Sequence, residues 1–231
     1  MSTAATATFI ARLDQIRKSV QRAAESSGRD ASAVTIVAVS KTANRTAMVD
    51  AYNLGLRHFG ENRVMEARSK LTEPMPADCT LHLIGQLQTN KVRHAVELFQ
   101  MIDSVDRASL LNELERQAAN RGMRLPILLQ VNVAGETQKA GCAESDTPQL
   151  VAQIRSASNH LDLQGLMTMA PLVDDPDDVR PVFSRLRELR DRLQQVTGAA
   201  LPMLSMGMSN DFMVAIQEGA THIRIGRAIF G

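Results

Sequence analysis

The sequence predicts a parallel (β/α)₈ barrel of the TIM type preceded by one extra helix. Eight short apolar, β-branched runs alternate with segments of helical spacing along 231 residues. Lys41-Thr42-Ala43-Asn44 follows the first run, where a doubly wound open sheet would place a glycine-rich fingerprint. No Pro/Gly/Ser-rich linker or compositional break interrupts the chain, so residues 1–231 read as a single domain.

The leading helix covers residues 9–27. Phe9, Leu13, Ile16, Val20 and Ala23 recur on one face, and Gly28 marks its end. The strand runs are "VTIVAVS" (34–40), "RHFGEN" (57–62), "TLHLIGQ" (80–86), "MIDSVD" (101–106), "PILLQVNV" (126–133), "DLQGLMTM" (162–169), "MLSMG" (203–207) and "THIRIG" (221–226). The first and fifth are almost continuously apolar, as strands buried on both faces require, and parallel pairing through crossover helices produces that burial. Of the intervening helices, 108–121 carries Leu110, Leu111, Leu114 and Ala118. The stretch 178–196 carries Val179, Val182, Phe183, Leu186, Leu189, Leu193 and Val196.

Composition narrows the function. Twenty-six Lys+Arg balance 25 Asp+Glu, and 3% aromatic residues with no Trp leave little for base stacking, which argues against nucleic acid. Cys79 and Cys142 stand alone, without metal-ligand spacing, so no metal site is expected and a reducing compartment is. The N-terminal "MSTAATATF" lacks the basic and apolar regions of a secretory signal, and no apolar run approaches the roughly 18 residues of a membrane span. The expectation is a cytoplasmic protein with no membrane partner. No long exposed apolar segment demands a second subunit, so it is also expected to be a monomer.

In a parallel barrel the loops after the strands carry function, so the strand ends nominate the site. They present Lys41; Glu61 and Asn62; Gln86, Gln88 and Asn90; Ser104 and Asp106; Asn132; Met167 and Met169; Ser205 and Ser209; and Arg224, Gly226 and Arg227. "SMGMSND" offers Gly207 for close backbone approach and Ser209-Asn210-Asp211 opening a helix. "RIGRAIFG" starts a second helix at Gly226. Loops seven and eight are the usual phosphate cradle of this fold. A lysine amine in a partly desolvated mouth opposite that cradle suits a phosphorylated aldehyde held as a Schiff base. Pyridoxal 5′-phosphate (PLP) is the common guest and a phosphosugar the alternative.

The motifs "VAVSKT", "RHFGEN", "HLIGQLQTNK", "LLQVNV", "LQGLMTM", "LSMGMSNDF" and "RIGRAIFG", in this order and spacing, resemble the pyridoxal phosphate homeostasis protein family. That family is similar to the barrel half of alanine racemase without its second domain. The resemblance runs from about residue 9 to the C-terminus. It implies a fold-type III PLP-binding barrel with the Schiff base on Lys41. Asn62 and His82 would line the pocket, and Ser205, Ser209, Gly226 and Arg227 would hold the phosphate. Arg224 would lie near the pyridine nitrogen. Relatives often carry Tyr at Arg63 and Thr at Arg227, and many continue past the final "IFG". A tail contact is therefore not expected here.

The function implied is buffering, delivery or regulation of intracellular PLP, with PLP-dependent apoenzymes as candidate recipients and little or no turnover. A low-activity amino-acid racemase is the first alternative and a Schiff-base aldolase the second. Two-base racemisation needs an acid/base opposite the lysine, and Tyr52, the one tyrosine, reads as a packing or surface residue on the helix after the first strand. Lys139, in "GETQKAGC" after the fifth strand, is either a mobile amine near the mouth or a solvated loop residue.

Overall fold

The structure, a computed structural model, describes residues 3–135 and 140–231. Eight strands run parallel in chain order and close into a barrel: β1 (Thr35–Val39), β2 (His58–Glu61), β3 (Thr80–Leu83), β4 (Met101–Val105), β5 (Leu125–Gln130), β6 (Leu161–Met167), β7 (Met203–Met208) and β8 (His222–Ile225). β1 pairs with both β2 and β8, so the sheet has no edge to protect. The surrounding helices are α1 (Thr3–Ser26), α2 (Arg45–Asn53), α3 (Val64–Lys70), α4 (Val92–Leu98), α5 (Ala108–Asn120), α6 (Thr147–Ala157), α7 (Arg180–Thr197), α8 (Phe212–Gln217) and α9 (Arg227–Phe230).

The long crossover helices each bury one apolar stripe against the barrel. α5 buries Leu110, Leu111, Leu114 and Ala118, and α7 buries Phe183, Leu186, Leu189 and Leu193. Val196 departs from the predicted stripe: it is 82% exposed, because α7 has run past the wall by its last turn. The segment 176–179 is a separate 3₁₀ turn, capped by the Asp175 side chain, so the helix begins only at Arg180. α1 is the extra helix. It starts earlier than residue 9, lies over α8 and α9, and buries the predicted Phe9, Leu13, Ile16, Val20 and Ala23. Phe9 meets the Phe230 ring at 6.0 Å, and just beyond α1 Arg29 donates to the Ile216 carbonyl at 2.6 Å.

Alternation along the strands divides the side chains between two cores. Ala38, Phe59, Leu83, Ile102, Leu129 and Ile225 face the helices. Met101, Leu128 and Met167 turn inward with Met169 and Met203 as a separate cluster within the barrel. β5 is shorter than the predicted 126–133, since beyond Gln130 the chain makes only an isolated bridge from Val131 to Cys142.

The β5–β6 register shifts between Ile127 and Leu128, which pair with Leu163 and Gly165 and leave Gln164 between them. A Cβ at Gly165 would lie 1.9 Å from the Met203 carbonyl oxygen, so backbone would have to move. Gly165→Ala is expected to cost about 2–3 kcal/mol in urea unfolding; an unchanged midpoint would show that β6 and β7 are not held this close in solution.

Candidate functional site

Because all eight strands are parallel, their C-terminal ends and following loops share one rim. A cavity of about 940 Å³ opens there, and it collects Lys41, Asn62, Ser209, Arg224, Gly226 and Arg227 from the ends of β1, β2, β7 and β8. The remaining two predicted site residues, His82 and Ser205, do not line it. Both are fully buried in the barrel interior beneath.

Lys41 does not belong to a strand. β1 ends at Val39, the Ser40 N–H donates to the Gly60 carbonyl at 2.9 Å, and the chain turns with the Ala43 N–H on the Ser40 carbonyl at 2.9 Å. Lys41 is the second residue of that turn, and Asn44 then caps α2 by accepting from the Ala47 N–H at 2.9 Å. The Lys41 side chain is exposed at the mouth, contrary to the partial desolvation expected from sequence, because the turn lifts it clear of the strand layer. Glu61 also departs from expectation. As the last residue of β2 it points outward, and its buried carboxylate accepts from Ser40 Oγ and Lys70 Nζ.

Across the mouth, β7 leads through Ser209 and Asn210 to Asp211 and α8. Gly207, at φ +91°, brings this loop against α8: a Cβ there would sit 2.5 Å from that of Ala215. The close approach predicted for Gly207 is therefore to protein. Asp211 accepts from the Met208 N–H, and burial raises its carboxyl pKa against the opposing pull of that bond and of Arg224. Gly226 opens α9, whose first amides have no acceptor within the helix, and Arg227 is exposed beside it. Arg224 contributes to the lining from below, 3% exposed, with Nη1 on Ser205 Oγ and Nη2 on the Thr168 carbonyl, both at 2.8 Å. Burial draws its pKa down, while Asp103 and Asp211 favour its charge.

Lys91, Gln130 and Pro171 also line the cavity without having been singled out as site residues. Lys91 lay inside the quoted motif "HLIGQLQTNK", and its place after β3 was the available signal. Of the other strand-end residues, Ser104 donates to the Gly85 carbonyl at 2.7 Å and Asp106 pairs with Arg107 at 2.6 Å; neither lines the cavity. Lys139 lies outside the described residues. Tyr52 is away from the cavity, bonded to Asp78 at 2.8 Å beneath the Arg57 guanidinium. Cys142 is buried, which pushes its thiol pKa up to about 11.

Residues 11–231 match the family model described as alanine racemase, N-terminal domain. The pyridoxal phosphate homeostasis protein of Aquifex aeolicus is 41% identical over 220 residues, which cover 95% of this chain and 96% of that one. Its counterpart in Pseudomonas aeruginosa is 40% identical over 224 residues, covering 97% and 95%. This chain belongs to that family. PipY of Synechococcus elongatus, solved with PLP bound, superposes with a TM-score of 0.82 at 36% identity, over 96% of this chain and 100% of that one. An alanine racemase of Clostridium difficile superposes at 0.75 with 11% identity, over 93% of this chain and 55% of that one; it is alike in fold alone.

Beneath the cavity, the barrel interior holds a histidine cluster. His58 Nδ1 lies 2.9 Å from His82 Nε2, and His82 Nδ1 lies 3.0 Å from Asp103 Oδ1. The His222 ring stands 6.0 Å from His58 and 6.3 Å from His82. Desolvation, reinforced by neighbouring His82, lowers His58 and His222 to about 4. Both are therefore neutral in the folded protein at pH values where an unfolded histidine, near 6.5, takes up a proton. Stability is expected to be full above about pH 6.5 and to fall as pH drops toward about 4, since the unfolded state binds more protons across that window. Urea midpoints at pH 7 and pH 4.5 check this; equal midpoints would mean the two rings titrate normally in the fold.

Proposed function

We propose that the chain holds PLP in the barrel mouth, on Lys41, and serves its intracellular homeostasis by buffering, delivering or regulating the cofactor. One observation carries the reading: the Lys41 amine from near the start of the sequence, and the Ser209 hydroxyl, helix-opening Gly226 and the Arg224 and Arg227 guanidiniums from near its end, line a single cavity. The relatives named for PLP homeostasis support it.

The residues fit a phosphorylated aldehyde. Glu66, one of two carboxylates on the lining, is tied to Arg63 at 2.7 Å, and the other, Asp211, is committed to the Met208 N–H. Among the described lining residues, an anion would therefore meet Lys41, Lys91, Arg224 and Arg227, with the two carboxylates each already hydrogen-bonded within the protein. When bound, the cofactor supplies an aldehyde, an electrophile for a primary amine. Lys41 provides that amine. Ser209, the first amides of α9 and Arg227 provide donors for a phosphate. Arg224 presents a fixed cation held by neutral partners; a guanidinium cannot protonate a ring nitrogen, which favours holding the cofactor over strong electron withdrawal through it.

The described lining contains no histidine, tyrosine or cysteine, so no ordinary proton-transfer residue of those types stands across from Lys41. Binding with little or no turnover is the activity proposed. In the same reading the whole chain acts as one unit, as a monomer in the cytoplasm, and PLP-dependent apoenzymes receive the cofactor. The buried free thiols of Cys79 and Cys142 suit a reducing compartment, and among the described residues no helix is long and apolar enough to cross a membrane.

The protein with added PLP is expected to turn yellow, and borohydride reduction to fix the cofactor on the peptide carrying Lys41. Lys41→Ala should show neither effect. A colourless wild type, or equal trapping in the variant, would overturn the reading. For the phosphate seat, Ser209→Ala and Arg227→Ala should each weaken PLP binding by roughly tenfold, the equivalent of one charge-assisted hydrogen bond. Binding of unphosphorylated pyridoxal should stay unchanged; a parallel loss for both ligands would place the phosphate elsewhere.

A further inference from the structure

Ser40, Glu61 and Lys70 form a buried unit on the outer side of the barrel, immediately behind the lysine turn. Lys70, in the last turn of α3, reaches under the loop so that Nζ donates to Glu61 Oε1 and, at 2.7 Å, to the Ser40 carbonyl. Ser40 Oγ donates to the same Glu61 oxygen. The Glu61 side chain is 2% exposed and that of Lys70 14%. A polar trio here interrupts an otherwise apolar sheath, since Phe59 and Leu83 on the same outward face belong to the hydrophobic core.

A buried ion pair contributes little net stability, because desolvation of two charges offsets their attraction. What this one does contribute is geometric. The Ser40 carbonyl and the Lys41 amide nitrogen belong to one planar peptide unit, so an ammonium on that carbonyl fixes the plane from which the Lys41 Cα–Cβ bond departs. The Ser40 N–H is held on the Gly60 carbonyl at 2.9 Å, and its hydroxyl on Glu61. All three polar groups of Ser40 are thus engaged, although the Lys41 side chain itself is exposed. The clamp extends to the neighbouring strands. The Glu61 carbonyl accepts from the Ile84 N–H at 2.9 Å, and the next residue, Asn62, lies so close to Gly85 that a Cβ there would come within 2.1 Å of the Asn62 carbonyl oxygen.

We infer that Lys70 and Glu61, acting through Ser40, are positioning residues that aim Lys41 into the cavity and register it against Asn62. The inference rests on the proposed role of Lys41 in holding PLP. It assigns a function to two charged residues that do not face the ligand space together: Glu61 points away from it, and Lys70 does not line it.

The test is Glu61→Gln/Lys70→Met, which removes both charges and so leaves neither buried alone, beside wild type and Lys41→Ala. Three quantities are measured: the rate at which added PLP develops the visible band, the rate at which the band is lost on dilution, and the Tm of the unliganded protein. The expected result is a Tm close to wild type with band formation slowed by roughly tenfold to a hundredfold, the usual penalty for a misplaced reacting group. Wild-type rates of formation and loss would overturn the inference. Should the double variant fail to fold, Ser40→Ala, which deletes only the hydroxyl coupling the turn to Glu61, is measured in the same way. Slowed formation there supports the clamp and wild-type rates overturn it. A wild type that never colours overturns the functional reading and this inference together, whereas a coloured wild type beside an unchanged variant overturns the inference alone.

Discussion

Thr35 through Ala38 of β1 pair in parallel with His222 through Ile225 of β8, and that seam closes the sheet. Everything at the mouth depends on it. Val37 stands in register with Arg224, so the residues that follow β1 and those that follow β8 emerge side by side from opposite ends of the chain. Gly226 records how tight the seam is, since a Cβ there would touch the Val39 carbonyl at 3.3 Å. A larger residue would push the α9 start away from the lysine turn.

The barrel interior carries a second constraint. A ring of parallel strands this small must fill its own centre, and here the filling is split between a methionine-rich apolar cluster and a polar group of His82, Asp103, Ser205, His222 and Arg224. Buried polar atoms need partners. Ser205 and Thr168 give Arg224 neutral acceptors, while Asp103 engages His82. The Arg224 guanidinium is thereby fixed in direction without its charge being cancelled by contact with a carboxylate. The cost is a core whose neutral histidines become a liability in acid.

Fold and function separate cleanly in the comparisons. The alanine racemase from Clostridium difficile shares the barrel at 11% identity, so the architecture tolerates almost complete replacement of its sequence. The polar groups drawn from opposite ends of the chain lie at the rim. There Ser209, Gly226 and Arg227 after β7 and β8 share a cavity with Lys41 after β1, and behind the lysine turn Lys70 pairs with Glu61 outside that cavity.

Element order, the parallel barrel and the strand ends that meet at its mouth were readable from the residue pattern alone. Lys41, Asn62, Ser209, Gly226 and Arg227 were legible because each follows an apolar run, and in this fold the position after a strand is the rim whatever the side-chain register. Only the tertiary structure decided which residues at strand level face inward and which outward. Strands buried on both faces lack the polar alternation that would reveal parity, and a one-residue slip exchanges the faces. The shifted registers between β7 and β8 and between β5 and β6 compound the ambiguity. Thus Ser205 and His82, which the family resemblance implied as ligand contacts, fall inside the barrel below the cavity, and Glu61, read as part of the polar rim, turns outward to Lys70. The Lys70 contact was invisible for a further reason. It joins the end of a helix to the carbonyl of a residue 30 positions earlier, and no local pattern encodes a hydrogen bond to backbone at that separation.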